Sequence, residues 1–366
     1  MDINKEIDFL IESKQYSLDY KEKEKKIFPI LLEQVKMQVK NKSLMNFYNH
    51  LGPLNNIKKI EDIPPIPVSL FKKKDFKLVP EEDITRTLTS SGTTTQIKSK
   101  IYLNKTTAFR QRKALSKILE DYLGNQRKPM IILDTESVNN SKNTGMSARG
   151  VAIRGLIQFG KNIIYAFDGE EKLNLNLKRL EEFIQLHKNE EIILFGFTYI
   201  IWEFFYKKLK EINKKFNLKG ILLHSGGWKK LENEKVSKKY FNEEIEKMLG
   251  IERGNVKDMY GMVEQVGIVF IDCEEGNKHV PNFSEVIIRN PLTMEEAKIN
   301  EEGIIEILSI LPESYPGQAI ITEDVGVLMG IDNCKCKRKG KYFRFVSRIK
   351  ESEARGCGDT YSEKIK

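Results

Sequence analysis

No stretch of the 366-residue sequence approaches the ~20 consecutive apolar residues needed to span a bilayer. The first residues, MDINKEIDFL, lack the basic start and long apolar core of a secretion signal. Cysteine is scarce, four residues in 366, which argues against a disulfide scaffold. These absences lead to the expectation of a cytoplasmic protein with reduced thiols and no membrane span. Internal repeats and low-complexity linkers are missing too. What is present is 40% apolar and 31% charged, the composition of a folded chain rather than a disordered one. The length allows one large domain or two ordinary ones. The net charge is +9, from 61 basic against 52 acidic residues. Acidic residues break up most of the basic runs, as Glu22 and Glu24 do among Lys21, Lys23, Lys25 and Lys26. That is a solvated lysine-rich surface, and no nucleic-acid partner is expected. A modest positive field still favours anionic ligands such as ATP.

Residues 1 to about 50 read as mostly helical, with Leu31, Leu32, Val35 and Val39 at helical spacing. Pro29 is expected in the first turn of that helix, where a missing amide costs little, and Gly52-Pro53 at its end. The three prolines of Ile63–Val68 exclude helix and predict an extended connector. Strands then alternate with amphipathic helices. Strands are expected at Met130–Leu133, Ile163–Phe167, Ile192–Phe195 and Ile221–His224; helices at Leu173–His187, Tyr199–Leu209 and Glu234–Leu249. This alternation predicts an α/β fold with a largely parallel sheet. Beyond residue 266 the pattern becomes β-rich, with short strands at Gly267–Ile271, Glu285–Ile288, Ile304–Leu308, Ala319–Ile321 and Tyr342–Val346, and one helix near Met294–Lys298. The expected organisation is a helical segment and connector over 1–85, an α/β nucleotide-binding core over 86–265, a β-rich subdomain over 266–349 and a polar tail over 350–366.

The densest chemical signal is the run Thr89-Ser90-Ser91-Gly92-Thr93-Thr94-Thr95-Gln96-Ile97-Lys98-Ser99-Lys100. Backbone amides and hydroxyls of such a loop wrap phosphate oxygens, and a lysine neutralises them. Its spacing is not that of a Walker A loop. By composition alone it is equally an ordinary surface loop. The run resembles the phosphate loop of adenylate-forming enzymes, [ST]-S-G-T-T-G-x-P-K-G, with Ser90, Ser91, Gly92, Thr93, Thr94 and Lys98 matching. Thr95, Ile97 and Ser99 depart from the usual Gly, Pro and Gly.

Further motifs of that family follow in order. Ser225-Gly226-Gly227 after the expected strand Ile221–His224 resembles the turn that lays backbone against adenine. Tyr260-Gly261-Met262-Val263-Glu264 resembles Y-G-x-T-E, which implies Tyr260 against the adenine and Glu264 on Mg²⁺, a cation that prefers hard oxygen ligands. Thr322-Glu323-Asp324 resembles T-G-D, whose aspartate binds the ribose hydroxyls, and Ser347-Arg348 the following G-R, whose arginine also reaches the nucleotide. Val263, Glu323 and Ser347 are departures. Standard members continue into a mobile domain carrying a catalytic lysine; here that domain is expected to be missing or reduced to a tail, and Lys98 or Lys100 to supply the cation.

A chain of this kind resembles the acyl-protein synthetases of the LuxE family, relatives of phenylacetate–CoA ligases. The marks are Ile63–Lys72 (IPPIPVSLFK), Ser147-Ala148-Arg149-Gly150, His224–Lys229 (HSGGWK), Tyr260–Gln265 (YGMVEQ) and Arg348–Cys357 (RIKESEARGC). The resemblance implies that ATP activates a carboxylic acid, a long-chain fatty acid, as acyl-AMP. The acyl group then passes to Cys357 as a thioester and on to a reductase partner. Arg355 beside Cys357 favours the thiolate, the nucleophilic form. Two alternatives stay open: an acyl-CoA or acyl-carrier ligase, which does not need Cys357, and a nucleotide-binding subunit whose catalysis has lapsed. Arg149 and Arg154 are further candidates for carboxylate or phosphate contacts, and the aromatics of Phe195–Phe205 for lining an acyl tunnel or forming ordinary core.

The other three cysteines are grouped. Cys334 and Cys336 form a C-x-C pair, and Cys273 with His279 a C-x5-H pair. Three sulfurs and one imidazole suit a closed, structural, tetrahedral Zn²⁺ site; free thiols on loops are the alternative.

Overall fold

A computed structural model describes residues 2–41, 44–45, 47–48, 56–90, 98–139, 148–169, 173–228 and 234–349. They form two compact units. The first gathers residues 2–90, 98–121 and 261–349; the second spans 122–260. Among the described residues no helix is long and apolar enough to cross a membrane.

The second unit is a parallel sheet with helices. Its strands run in the order Val256–Tyr260, Gly220–Ser225, Ile192–Phe197, Lys128–Thr135, Gly160–Asp168, with the short antiparallel Asn174–Leu175 at the edge. All six residues of Ile192–Phe197 are buried, which is why the central strand reads as an unbroken apolar run. The helix Leu177–Leu186 buries Leu180 and Phe183, and the Asn176 side chain caps it by accepting from Arg179 N at 3.0 Å. Residues 173–176 are therefore a short strand and a cap rather than the helix start the periodicity suggests. Ser237 caps Lys238–Leu249, and Gly250 ends it in the left-handed conformation at φ 75°. The expected helix near Tyr199–Leu209 contains a π-turn at Ile201–Tyr206, where Trp202 and Tyr206 stack at 4.4 Å. Phe195, Phe197, Tyr199 and Phe205 are all buried.

The first unit is built on an antiparallel sheet, in the order Lys278–His279, Lys341–Arg348, Ala319–Ile331, Glu302–Ser309, Ser284–Arg289. The proline connector adds Ile66–Pro67 in parallel to Ala319–Ile331, pairing Ile66 with Ile320. Proline is tolerated there because its ring lacks only a donor. Residues Met294–Lys298 do not form a helix. Arg289 bridges to Glu296, Asn290 N donates to Glu295 O, and Met294 has φ 61°, so the segment is a turn.

Two N-terminal helices, Ile3–Glu12 and Tyr20–Val39, belong to this unit. The second begins after the Asp19 cap, at Tyr20, nine residues ahead of Pro29, so Pro29 stands in the helix interior and not in its first turn. The helix is held to the sheet by Ile27, Ile30, Leu31 and Val35, all buried, each worth roughly 1.5–3 kcal/mol by transfer. Lys23 meets Glu285 at 3.0 Å with both side chains buried, and Gln34 donates to Ile310 O at 3.0 Å.

Candidate nucleotide and acyl site

In the first unit the Ser/Thr run connects two antiparallel strands, Ile84–Thr89 and Lys100–Asn104. Two hydrogen bonds close the hairpin near the ends of the run: Ser90 N donates to Ser99 O at 3.1 Å, and Ser99 N to Ser90 Oγ at 2.9 Å. Lys98 is exposed, and Lys100 lies 3.5 Å from Asp75. Ser91, Gly92, Thr93 and Thr94, like Cys357 and Ser147, lie outside the described residues.

Glu264 sits in the short turn Val263–Gln265 and is 5% exposed. Burial pushes its carboxyl above the usual range, while the Ser99 hydroxyl and the charges of Lys72 and Arg348 favour the ionised form. The turn is anchored through its backbone: Tyr315 Oη donates to Glu264 O at 3.0 Å, and Gln265 Nε2 to Gly317 O at 2.6 Å. Lys72 meets Glu323 at 3.5 Å. Asp324, on the buried face of its strand, accepts from Arg348 Nε at 3.0 Å. Its backbone N–H donates to Thr322 Oγ1, whose hydroxyl donates to Ile305 O. One unit therefore brings together Ser90, Ser99, Glu264, Asp324 and Arg348. Sequence reasoning did not foresee that Ser99, at a position where the pattern has glycine, and Lys72, at the end of the proline connector, act on the Glu264 carboxyl.

In the second unit the candidates lie at the carboxyl ends of parallel strands, where open α/β sheets bind ligands. Gly226 has φ 82°, a conformation that favours glycine, and follows directly on the strand Gly220–Ser225. Ser225 Oγ donates to Met259 O at 3.2 Å, tying this turn to the strand that ends at Tyr260. His224 is buried, with Nδ1 at 2.9 Å from Thr198 Oγ1 and 3.8 Å from Asp258 Oδ1. Asp134, near the end of the strand Lys128–Thr135, is clasped by both Arg149 Nε and Nη2, and both side chains are buried. Burial still raises the Asp134 carboxyl above its ordinary value, with Arg149 opposing. Arg149 is thus bound by a carboxylate of its own chain. Thr198, Asp134 and Asp258 were not singled out from sequence: Thr198 and Asp134 lie near strand ends with no motif around them, and Asp258 lies inside the strand Val256–Tyr260, ahead of the motif that starts at Tyr260.

Gly261, which links the two motif halves, belongs to the first unit. A Cβ there would lie 3.2 Å from Ile268 O and from Val269 Cγ1, so the turn has little room for a side chain. The four remaining candidates, Cys273, His279, Cys334 and Cys336, also belong to the first unit, with their donor atoms all within 4.8 Å of one another.

This is the fold of adenylate-forming ligases. An open conformation of 2-hydroxyisobutyryl-CoA ligase in complex with 2-HIB-AMP and CoA matches with a TM-score of 0.65 at 14% identity, covering 92% of this chain and 77% of that one. The same enzyme in the postadenylation state matches with a TM-score of 0.65, covering 91% and 69%. The family model for acyl-protein synthetases, LuxE, matches residues 2–366, and the chain belongs to that family and is a ligase. Two similar proteins, from Aliivibrio fischeri and Vibrio harveyi, are both named long-chain-fatty-acid–luciferin-component ligase. They are 24% and 21% identical to it over 87% and 88% of this chain and 82% and 83% of their own.

Proposed function

We propose that the protein uses ATP to activate a long-chain fatty acid as acyl-AMP, then transfers the acyl group to the Cys357 thiol for delivery to a reductase partner. A carboxylate oxygen attacks the α-phosphorus, and the bond to pyrophosphate breaks. The Cys357 thiolate, its proton lost to solvent, then attacks the acyl carbonyl carbon, and AMP leaves. A cytoplasmic setting, which keeps the thiol reduced, belongs to this reading.

The observation that carries it is the grouping of Ser90, Ser99, Glu264, Asp324 and Arg348 in one unit, although they are far apart in sequence. By the family pattern the Ser/Thr run with Lys98 cradles the phosphates, Asp324 and Arg348 hold the ribose side, and Tyr260 with Ser225–Gly227 faces the adenine. Glu264 fits a magnesium ion: it is a buried carboxylate with a hydroxyl beside it, a hard oxygen donor set. Magnesium bound there supplies positive charge to the phosphate oxygens. Two relatives named as fatty-acid ligases support the substrate class.

The test is acylation of the purified full chain with ATP, Mg²⁺ and tetradecanoic acid, read by intact mass before and after hydroxylamine. A labile acyl mass is expected on the wild type and not on Cys357→Ser. Acid-dependent pyrophosphate release with no adduct on either protein would move the acyl acceptor elsewhere, to CoA or a carrier. Neither signal, across acids of several lengths, would leave a lapsed catalyst.

A further inference from the structure

The long strands that carry Asp324 and Arg348 are joined at their far end by a turn from Asp332 to Gly340. That turn holds Cys334 and Cys336. Beside it lies a small hairpin in which Asp272 bridges to Lys278, and Lys278–His279 pair with Phe343 and Tyr342. This register sets His279 against Tyr342, with their rings stacked at 5.2 Å. Cys273 lies at the hairpin's other arm. Its sulfur is 3.9 Å from Cys334 Sγ, and Cys336 Sγ is 3.1 Å from His279 Nε2. For a tetrahedral zinc ion, with Zn–S near 2.3 Å and Zn–N near 2.0 Å, neighbouring donors stand about 3.5–3.8 Å apart. The observed spacings bracket that figure.

The surroundings match a built site. Asn277 Nδ2 lies 3.7 Å from Cys334 Sγ and is oriented by Arg344 Nε on its oxygen at 2.8 Å, the kind of outer contact that fixes a metal's ligands. Arg338, two residues beyond Cys336, is held by Asp121 and Glu274. It also acts on the His279 imidazole and the Cys336 thiol. Cys273, His279 and Cys334 are buried, and Cys336 is partly buried. The cysteines are free thiols, and the Cys273 and Cys334 sulfurs at 3.9 Å stand well beyond the ~2.05 Å of a disulfide bond.

We propose that Cys273, His279, Cys334 and Cys336 hold one Zn²⁺ in a closed four-ligand site. The ion fastens the Asp332–Gly340 turn to the Asp272–His279 hairpin, and so fixes the strand pair on which Asp324 and Arg348 meet. With every position taken by protein, the ion has no place for substrate, and its role is structural.

The experiment is metal analysis of the full chain, purified without chelator or affinity metal and with thiols kept reduced. About one zinc per chain is expected. Wild-type protein exchanged with Co²⁺ should give the visible absorption of a tetrahedral cobalt–thiolate centre. Cys336→Ser should lose the zinc, and hydrogen exchange in residues 319–331 and 341–348 should quicken in it. Should that variant fail to fold, the cobalt spectrum of the wild type decides. No zinc as purified together with no uptake of stoichiometric Zn²⁺ would overturn the proposal. So would iron in its place, or zinc fully retained in a Cys334→Ser, Cys336→Ser double variant.

Discussion

Arg348 Nε donates to Asp324 Oδ1 at 3.0 Å, and the antiparallel register of their strands sets the two residues directly opposite each other. Asp324 is buried, whereas the Arg348 side chain is 39% exposed, so the pair is open on the arginine side. In the proposed site this guanidinium orients the carboxylate that receives the ribose. Arg348→Gln should raise KM for ATP in acid-dependent pyrophosphate exchange by about 10–100-fold, the worth of a charged hydrogen bond of ~1.5–3 kcal/mol. Stability should fall by about 1–3 kcal/mol as well, because the buried Asp324 carboxylate loses this donor. A large loss of stability with an unchanged KM would assign Arg348 to the fold alone.

Glu264→Gln separates function from stability in the opposite sense. The folded-state pKa of Glu264 is raised, so the folded protein holds its proton at a pH where the unfolded chain has lost it. This group's contribution to stability is therefore greatest at low pH and declines as pH rises above the ordinary value of 4.5. A neutral glutamine removes that decline. At neutral pH the variant should unfold at an equal or higher urea concentration, and its advantage should shrink toward pH 4. Adenylate formation should fall by on the order of 100-fold, since a carboxylate on the metal is lost. Full activity in Glu264→Gln would exclude the metal-binding role.

Asp134 and Arg149 make a buried pair, and breaking one side leaves a charge without its partner. Asp134→Asn should destabilise the protein by about 3–5 kcal/mol, whereas Asp134→Asn with Arg149→Met should recover much of that loss. A denaturant series on wild type, single and double variants measures the coupling. Additive losses would show that the two side chains act independently.

Much of the fold is legible in the sequence where one physical cause dominates. Ile192–Phe197 and Gly220–Ser225 stand out because strands buried on both faces are continuously apolar. Ala319–Ile331 is different: only Ala319–Ile321 reads as a strand, since Thr322, Glu323 and Asp324 interrupt the apolar run. The strand continues because its residues are buried in alternation, with Asp324 inward and paired. Motif order singles out Ser90, Glu264, Asp324 and Arg348, which lie in one unit. The neighbourhood of Ser99 and Lys72 with Glu264 depends on three distant segments joining one unit, which no local pattern encodes. Likewise, the C-x-C and C-x5-H pairs are visible along the chain. Their convergence rests on the pairing of His279 with Tyr342.

Pro29 marks where local propensity loses to tertiary packing. The helix Tyr20–Val39 runs through it, because Asp19 caps the start by accepting from Glu22 N at 2.8 Å, and buried Lys23, Ile27, Ile30 and Leu31 bind both sides of the proline to the sheet. Pro29 itself is exposed, so its ring adds little packing, while the Lys25 carbonyl four residues back loses its usual helical donor. An interior proline costs a helix ~3 kcal/mol, partly offset by the ~0.4–1 kcal/mol it gains by stiffening the unfolded chain. Pro29→Ala should therefore stabilise the protein by about 2–2.6 kcal/mol, read as a higher urea midpoint at constant slope, with acid-dependent pyrophosphate exchange unchanged. A lower midpoint would mean that the helix relies on the bend the proline imposes, and that the buried faces on either side of it are aligned by that bend.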